Sequence, residues 1–250
     1  MLATDIGTAI VAILPLLFIV IAQPVRQPED TGKETSYWQD LREGFRYVVR
    51  WPGLLGITLL AMMLNFLLSP TSALTPLVVT GVFHKGVVEL GWTRAVFGAG
   101  TIIAGVILSA WGGFRRRIVT SLGGVIGVGL GVVLFGLVPA DRFFLLLIAS
   151  FLQGPAVVFA NGPLQAIFQS SIALDVQGRV FSLIGAGAAA MMPLSLLIAG
   201  PVADWLGVRF WYIVGGTVCI LVTVVASFIP AVVNIERNQV SAESAFAPDE

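Results

Sequence analysis

Seven runs of about twenty mostly apolar residues divide this chain, at 4–23, 52–78, 91–112, 117–138, 142–168, 180–201 and 207–231. At about 1.5 Å of rise per residue, a helix of that length crosses the roughly 30 Å of hydrocarbon in a bilayer. Inside lipid every backbone N–H and C=O needs a partner within the protein, and a helix supplies one for each. The composition points the same way. Only 11% of the 250 residues are charged and 57% are hydrophobic, whereas a water-soluble domain carries about 25% charged residues. The expected fold is an all-α integral membrane protein of about seven transmembrane helices, with the lipid bilayer as its first partner.

Several function classes fall away on composition. Lys plus Arg and Asp plus Glu number 14 each, so no basic excess points to nucleic acid. Cys219 and His84 are the only residues of their kinds, too few for an intrachain disulfide, a zinc site or haem ligation. No metal and no cofactor is implied. A retinal pigment needs a lysine inside its last helix, and both Lys33 and Lys85 fall between spans. An intramembrane protease needs His-Glu-x-x-His or a serine with a general base, and neither can be assembled, so no catalytic residue is nominated and the chain is not read as an enzyme. The first 23 residues lack a basic start and a small-residue cleavage site, carry Asp5, and end in Gln23-Pro24, so they read as a span rather than a signal peptide.

The charges lie between the spans and set an orientation. On alternate sides, ten Lys and Arg residues, among them Arg42, Arg115, Arg116, Arg117 and Arg179, face four: Lys85, Arg94, Arg142 and Arg209. The richer side is cytoplasmic by the positive-inside rule, which puts the amino terminus outside and the polar tail, 232–250, inside. The long connection 24–51 begins with Pro24 and Pro28 and turns helical at Ser36, which has capping-box spacing to Gln39. Trp38, Leu41, Phe45 and Val48 form one face and Arg42, Arg46 and Arg50 another, as in a helix lying on the inner membrane surface. Such a helix is either a regulatory element or an interfacial anchor.

Setting aside 1–23, the bundle 52–231 divides into two triples, 52–138 and 142–231. The leading helix of each is interrupted: Asn65 precedes Ser69-Pro70-Thr71 in the first, and Asn161-Gly162-Pro163 lies among Gln153, Gln165 and Gln169 in the second. A triple has an odd number of helices, so the second enters from the opposite side, an inverted repeat. Paired broken helices of this sort mark transporter binding sites. Proline frees a carbonyl that must find a partner away from lipid, and a water-lined cavity offers one. The alternative is an ordinary kink with amides bonding a neighbouring helix, worth about 0.6 kcal/mol each. The candidates for the cavity are Asn65, Ser69, Thr71, Gln153, Asn161 and Gln165. Gly123-x-x-x-Gly127-x-x-x-Gly131 is a close-packing face, and Gly185 with Ala189 permits another close approach beside Met191-Met192-Pro193.

Four segments in order carry a family resemblance: Asp40-Leu-Arg-Glu-Gly-Phe-Arg-Tyr-Val48, Trp111-Gly-Gly-Phe-Arg-Arg-Arg117, Gln177-Gly-Arg-Val-Phe-Ser182, and Ala199-Gly-Pro-Val-Ala-Asp-Trp-Leu-Gly-Val-Arg209. The chain resembles the major facilitator superfamily, in its branch of macrolide-efflux proteins and the enterobactin exporter. The match runs from the sixth helix through the central cytoplasmic loop to the twelfth, so the chain is expected to be a carboxy-terminal half whose further partners are the amino-terminal half and a small-molecule substrate. The resemblance implies alternating access and export of a drug, macrolide or siderophore by proton antiport across the bacterial cytoplasmic membrane. The other readings are a stand-alone seven-helix receptor or scaffold and a half-transporter that needs a partner chain.

The resemblance also places a cytoplasmic gate in the link 111–117. Where many members carry an Asp in a Gly-x-x-x-Asp-Arg pattern, this chain has Ser109 or Ala110, so an Asp-based latch is not expected. Arg115, Arg116 and Arg117 then pair with Asp175 or with membrane phosphates, or serve as a positive stop signal. Arg179, near a helix start, calls for a carboxylate partner, and Asp175 is the nearest in sequence. Asp204 and Arg209 on the outer side either close an external gate or cap a loop. No Asp or Glu falls deep in a span, although proton coupling ordinarily uses an intramembrane ionisable group; in related exporters that group commonly lies in the amino-terminal half.

Overall fold

The computed structural model describes residues 37–172 and 174–235, without the side chains of 37–41, 174 and 175. The expected first span, the Ser36 cap and the tail beyond 235 lie outside the described residues. Among the described residues eight helices follow one another: α1 (Tyr37–Arg50), α2 (Pro52–Leu77, prolonged by a π-helical turn at Val78–Val82), α3 (Val87–Trp111), α4 (Arg117–Leu137), α5 (Phe143–Ser171), α6 (Leu174–Leu206), α7 (Val208–Ser227) and the single turn α8 (Pro230–Val233). Six of them, α2 to α7, are long and apolar enough to cross a membrane, and the protein is an all-α integral membrane protein.

The helices outrun the apolar windows because the signals that end them lie beyond the hydrocarbon. α3 starts at Val87 rather than 91, since the Glu89 carboxylate accepts the Gly86 N–H at 3.0 Å and satisfies one of the orphan donors of the first turn. It ends where Gly112 and Gly113 adopt φ of 75° and 80°, a left-handed conformation open to glycine at little steric cost. Gly207, at φ 86°, makes the one-residue corner between α6 and α7.

α1 docks on α2 and α6, with its faces rotated from the expected stripe. Gly44 and Val48 are buried, while Phe45 is 59% exposed. Gly44 decides this: a Cβ there would sit 3.1 Å from the Arg179 carbonyl oxygen, so the bare backbone of that turn fits against α6. Phe45 and Val49 are left facing outward.

Each transmembrane helix packs chiefly on helices of the other triple. α2 lies on α6 and α7, α5 on α3 and α4, and α4 on α7. In lipid, apolar side chains gain little by leaving one apolar surface for another, so small residues that let backbones approach carry the association. A Cβ on Gly100 would meet the Phe151 carbonyl oxygen at 2.5 Å, and one on Gly154 the Phe97 carbonyl oxygen at 2.5 Å. Gly129 and Gly216 face each other's carbonyl oxygens in the same way, at 3.0 and 2.7 Å.

Along α4 the contact face is Gly124, Gly127 and Gly131, against Ala160, Ala156 and Gln153 of α5. Gly123, expected on that face, is exposed and a Cβ there would meet nothing within 4 Å. Spacings of three and four follow a helix face more closely than two successive fours, which drift around the axis. Gly185 is likewise open, and the close approach in α6 comes at Gly187, against Met62 of α2.

Substitution at adjacent glycines separates these roles. Gly123→Ala should stay within about 0.5 kcal/mol of the parent, as an exposed change does. Gly124→Ala drives a Cβ into the Phe159–Ala160 backbone and should cost at least the 1–3 kcal/mol, roughly, of an overpacked core. Thermal unfolding in detergent reads both; equal midpoints would refute the assigned contact face.

Candidate substrate cavity

Two interrupted helices and α4 border a pocket of about 190 Å³ that is open to the surface, where Asn65 and Asn161 are exposed. Asn65 of α2 and Asn161 of α5 both line it, among Leu60, Leu64, Leu68, Val125, Val157 and Leu164. The two amides are held alike: Asn65 Nδ2 donates to the Ala61 carbonyl at 2.9 Å and Asn161 Nδ2 to the Val157 carbonyl at 3.0 Å. Each bond goes one turn back along its own helix, which sets the rotamer and leaves the amide oxygen free to accept. Ser121 of α4, also on the wall, donates to the Ala160 carbonyl at 2.6 Å and ties α4 to α5. The result is an apolar chamber with two fixed polar groups, the usual composition of a small-molecule site.

A second, more polar recess of about 110 Å³ is lined by Thr71, Ser72, Thr75, Thr93, Arg94, Ser150, Gln153 and Tyr212, with Phe97 and Phe135. Pro76 has no N–H to give the Ser72 carbonyl, and Arg94 Nη2 reaches that oxygen at 3.5 Å. Tyr212 donates to the Thr71 carbonyl at 2.5 Å and lies 3.1 Å from the Thr75 hydroxyl. Trp211 Nε1 donates to the Leu67 carbonyl at 3.2 Å. Two buried aromatic side chains of α7 thus hold the α2 backbone on either side of Pro70.

The six expected cavity residues therefore divide. Asn65 and Asn161 share the larger chamber, and Thr71 and Gln153 share the smaller one. Ser69 is half-buried, with its carbonyl accepting from the Ser72 hydroxyl at 2.8 Å, and Gln165 is exposed on α5. Neither lines either space. Arg94, Ser121, Trp211 and Tyr212 were not foreseen. The sequence signal for Tyr212 and Trp211 was their place early in a span opposite a proline-broken helix, but a span read singly does not show which helix faces it.

In the link leading into α4, Arg115, Arg116 and Arg117 are all exposed. Arg179 forms an ion pair with Glu43 of α1, Nη1 to Oε2 at 3.0 Å; the side chain of Asp175 lies outside the described residues. At the start of α7 Arg209 Nη2 donates to the Val138 carbonyl at 2.6 Å, just past the end of α4, and its guanidinium lies 5.7 Å from the Phe83 ring centroid. Asp204 is exposed on the last turn of α6.

Macrolide efflux protein A of Streptococcus pyogenes is 27% identical over 228 residues, covering 91% of this chain and 56% of the relative. The MFS-type transporter YfiS of Bacillus subtilis, itself uncharacterized, is 27% identical over 219 residues, 83% of this chain and 50% of the relative. The multidrug efflux pump Tap of Mycolicibacterium fortuitum is 28% identical over 191 residues, 75% and 45%. The chain resembles the major facilitator efflux transporters. No family model matches it, and no solved structure does. With six apolar helices and such relatives, this major-facilitator-like chain is a multi-pass protein of the cell membrane. It spans about half the length of the curated relatives it matches.

Stability should distinguish polar groups that hold helices together from those that face the chamber. Tyr212→Phe removes the α7 to α2 hydrogen bond and should cost about 0.5–1.5 kcal/mol. Asn161→Leu, which loses only a bond within its own helix, should stay within about 0.5 kcal/mol. Unfolding in detergent checks the order; a larger loss for Asn161→Leu than for Tyr212→Phe would reverse the assignment.

Proposed function

We propose that this chain is the carboxy-terminal part of a major facilitator secondary transporter that exports small amphiphilic compounds, such as a drug, macrolide or siderophore, by alternating access. The observation that carries the reading is the pair Asn65 and Asn161, supplied by two proline-interrupted helices that lead the two triples, in one largely apolar chamber. An amphiphile finds there apolar walls for its body and two amide oxygens for its donors. The relatives' names, macrolide efflux protein and multidrug efflux pump, describe cargo of that kind.

The inverted repeat supports the same reading. Gly127 of α4 meets Ala156 of α5, while Gly215 of α7 meets Leu67 of α2. Gly124 meets Ala160, and Tyr212 bonds to Thr71. In both sentences the α4 residue and its α7 counterpart differ by 88 in number, and the α2 residue and its α5 counterpart by 89, with the triples exchanged, as expected of two copies related by a two-fold axis in the membrane plane. By that offset Asn161 corresponds to Ser72 rather than to Asn65, so the two chamber amides are not repeats of one position; they converge on one space from different heights of their helices.

Proton antiport is the proposed energy source, with the coupling carboxylate and the facing wall of the cavity supplied by the amino-terminal half. The test is export from cells expressing this chain together with that half. Asn65→Leu and Asn161→Leu should each lower macrolide export several-fold at unchanged protein level, and an uncoupler that collapses the proton gradient should abolish it in the parent. Export unaltered by both substitutions would remove the chamber from the pathway, and export indifferent to the uncoupler would remove the proton.

A further inference from the structure

On the other side of the α4–α5 crossing from the chamber lies a groove of about 340 Å³, lined by Trp111, Phe114, Thr120, Gly123, Gly127 and Phe159, with Gly124 and Ala156 at its floor. Its lining is almost wholly apolar. Trp111 packs edge-on against Phe114 and Phe159, with centroids 4.9 and 6.4 Å apart, yet Trp111 remains 51% exposed and Phe114 56%. The groove is deep because Gly123 puts no side chain into it. From Thr120 to Gly127 it runs down α4 for two turns, about 10 Å at 1.5 Å per residue.

Two of its lining residues, Phe114 and Thr120, flank the link that carries Arg115, Arg116 and Arg117. All three are exposed, and none makes an ion pair or side-chain hydrogen bond among the described residues. The link is held in place: the Phe114 N–H donates to the Thr120 hydroxyl at 2.9 Å, and Gly112 closes α3 through its N–H to the Leu108 carbonyl at 2.8 Å. Three exposed guanidiniums, unpaired among the described residues, are thus carried by a held link between two residues that line an apolar slot along a membrane-spanning helix. An occupant complementary to both has a negative head and a hydrocarbon tail.

We propose that this groove is a binding site for an anionic phospholipid, with one acyl chain lying along Gly123 and Gly127 and its phosphate on Arg115–Arg117. Guanidinium donors match phosphate oxygens in geometry and charge, and basic clusters beside a span bind anionic lipids electrostatically. The tail fills space that would otherwise be a void against Trp111 and Phe159. The site does not depend on the transport reading, since it uses none of the chamber residues.

Trp111 reports on the tail. The full chain is reconstituted in bilayers containing phosphatidylglycerol or phosphatidylcholine with dibrominated acyl chains, and the quenching lost in Trp111→Phe is taken as the Trp111 signal. The expected result is a relative affinity at least about fivefold in favour of phosphatidylglycerol. That preference should fall to about one in R115Q/R116Q/R117Q, and Gly123→Leu, whose Cβ has open space, should block quenching of Trp111 by both lipids. Equal quenching by the two lipids in the parent, or a preference that survives the triple substitution, would overturn the proposal. So would a Trp111 that neither lipid quenches, which would mean that protein rather than lipid covers the groove.

Discussion

Backbone against backbone is the contact on which this bundle rests. Apolar side chains are at home in lipid already, so the helices adhere where glycine or alanine lets two main chains meet. Gly100 with Gly154, Gly129 with Gly216, and Gly124 with Ala160 are three such crossings, and they join α3 to α5, α4 to α7 and α4 to α5. α6, by contrast, is largely exposed along its length and meets α2 through side chains, among them Met62 on Gly187 and the cluster of Leu54 and Ile57 with Val180. The tight crossings set the positions of α4, α5 and α7, and the longer polar side chains act within distances those crossings impose.

Proline frees carbonyls in this frame, and two of them meet donors from other helices. The Ser72 carbonyl, freed by Pro76, receives Arg94. The Phe151 carbonyl, freed by Pro155, lies against the Cα of Gly100, where a Cα–H supplies a weak donor. Around Pro70 the Leu67 and Thr71 carbonyls receive Trp211 and Tyr212. In α2 and α5 these contacts put the interrupted turns against neighbouring helices, whereas Pro193 and Pro201 of α6 are exposed.

The number, type and approximate place of the described spans were legible in the sequence because lipid imposes a length and a composition that a window of twenty residues reveals. Asn65 and Asn161 were legible because an amide inside an apolar run has few neutral reasons to be there. What one span could not reveal was the angle at which its neighbour would meet it. Gly123 and Gly124 are indistinguishable as letters, yet one faces open space and the other a peptide group. Glu43 went unremarked for the same reason: its partner Arg179 lies more than a hundred residues on, and only the docking of Gly44 on α6 brings them to 3.0 Å. Gln165 and Ser69 had the right chemistry and the right neighbourhood but point away from both spaces.

The chamber and the outer groove are two faces of one wall. Ser121, Val125, Val157 and Ala160 border the chamber, and Gly123, Gly127, Ala156 and Phe159 border the groove; both sets alternate along the α4–α5 crossing. At that crossing the peptide groups of Gly124 and of Phe159 and Ala160 are already in contact, so there is no compressible side chain between the helices to absorb a shift. Close-packed interiors move as units rather than deform. A rotation of α5 that widened the chamber would carry Phe159 with Asn161, since both lie on the same turn, and would reshape the groove in the same motion.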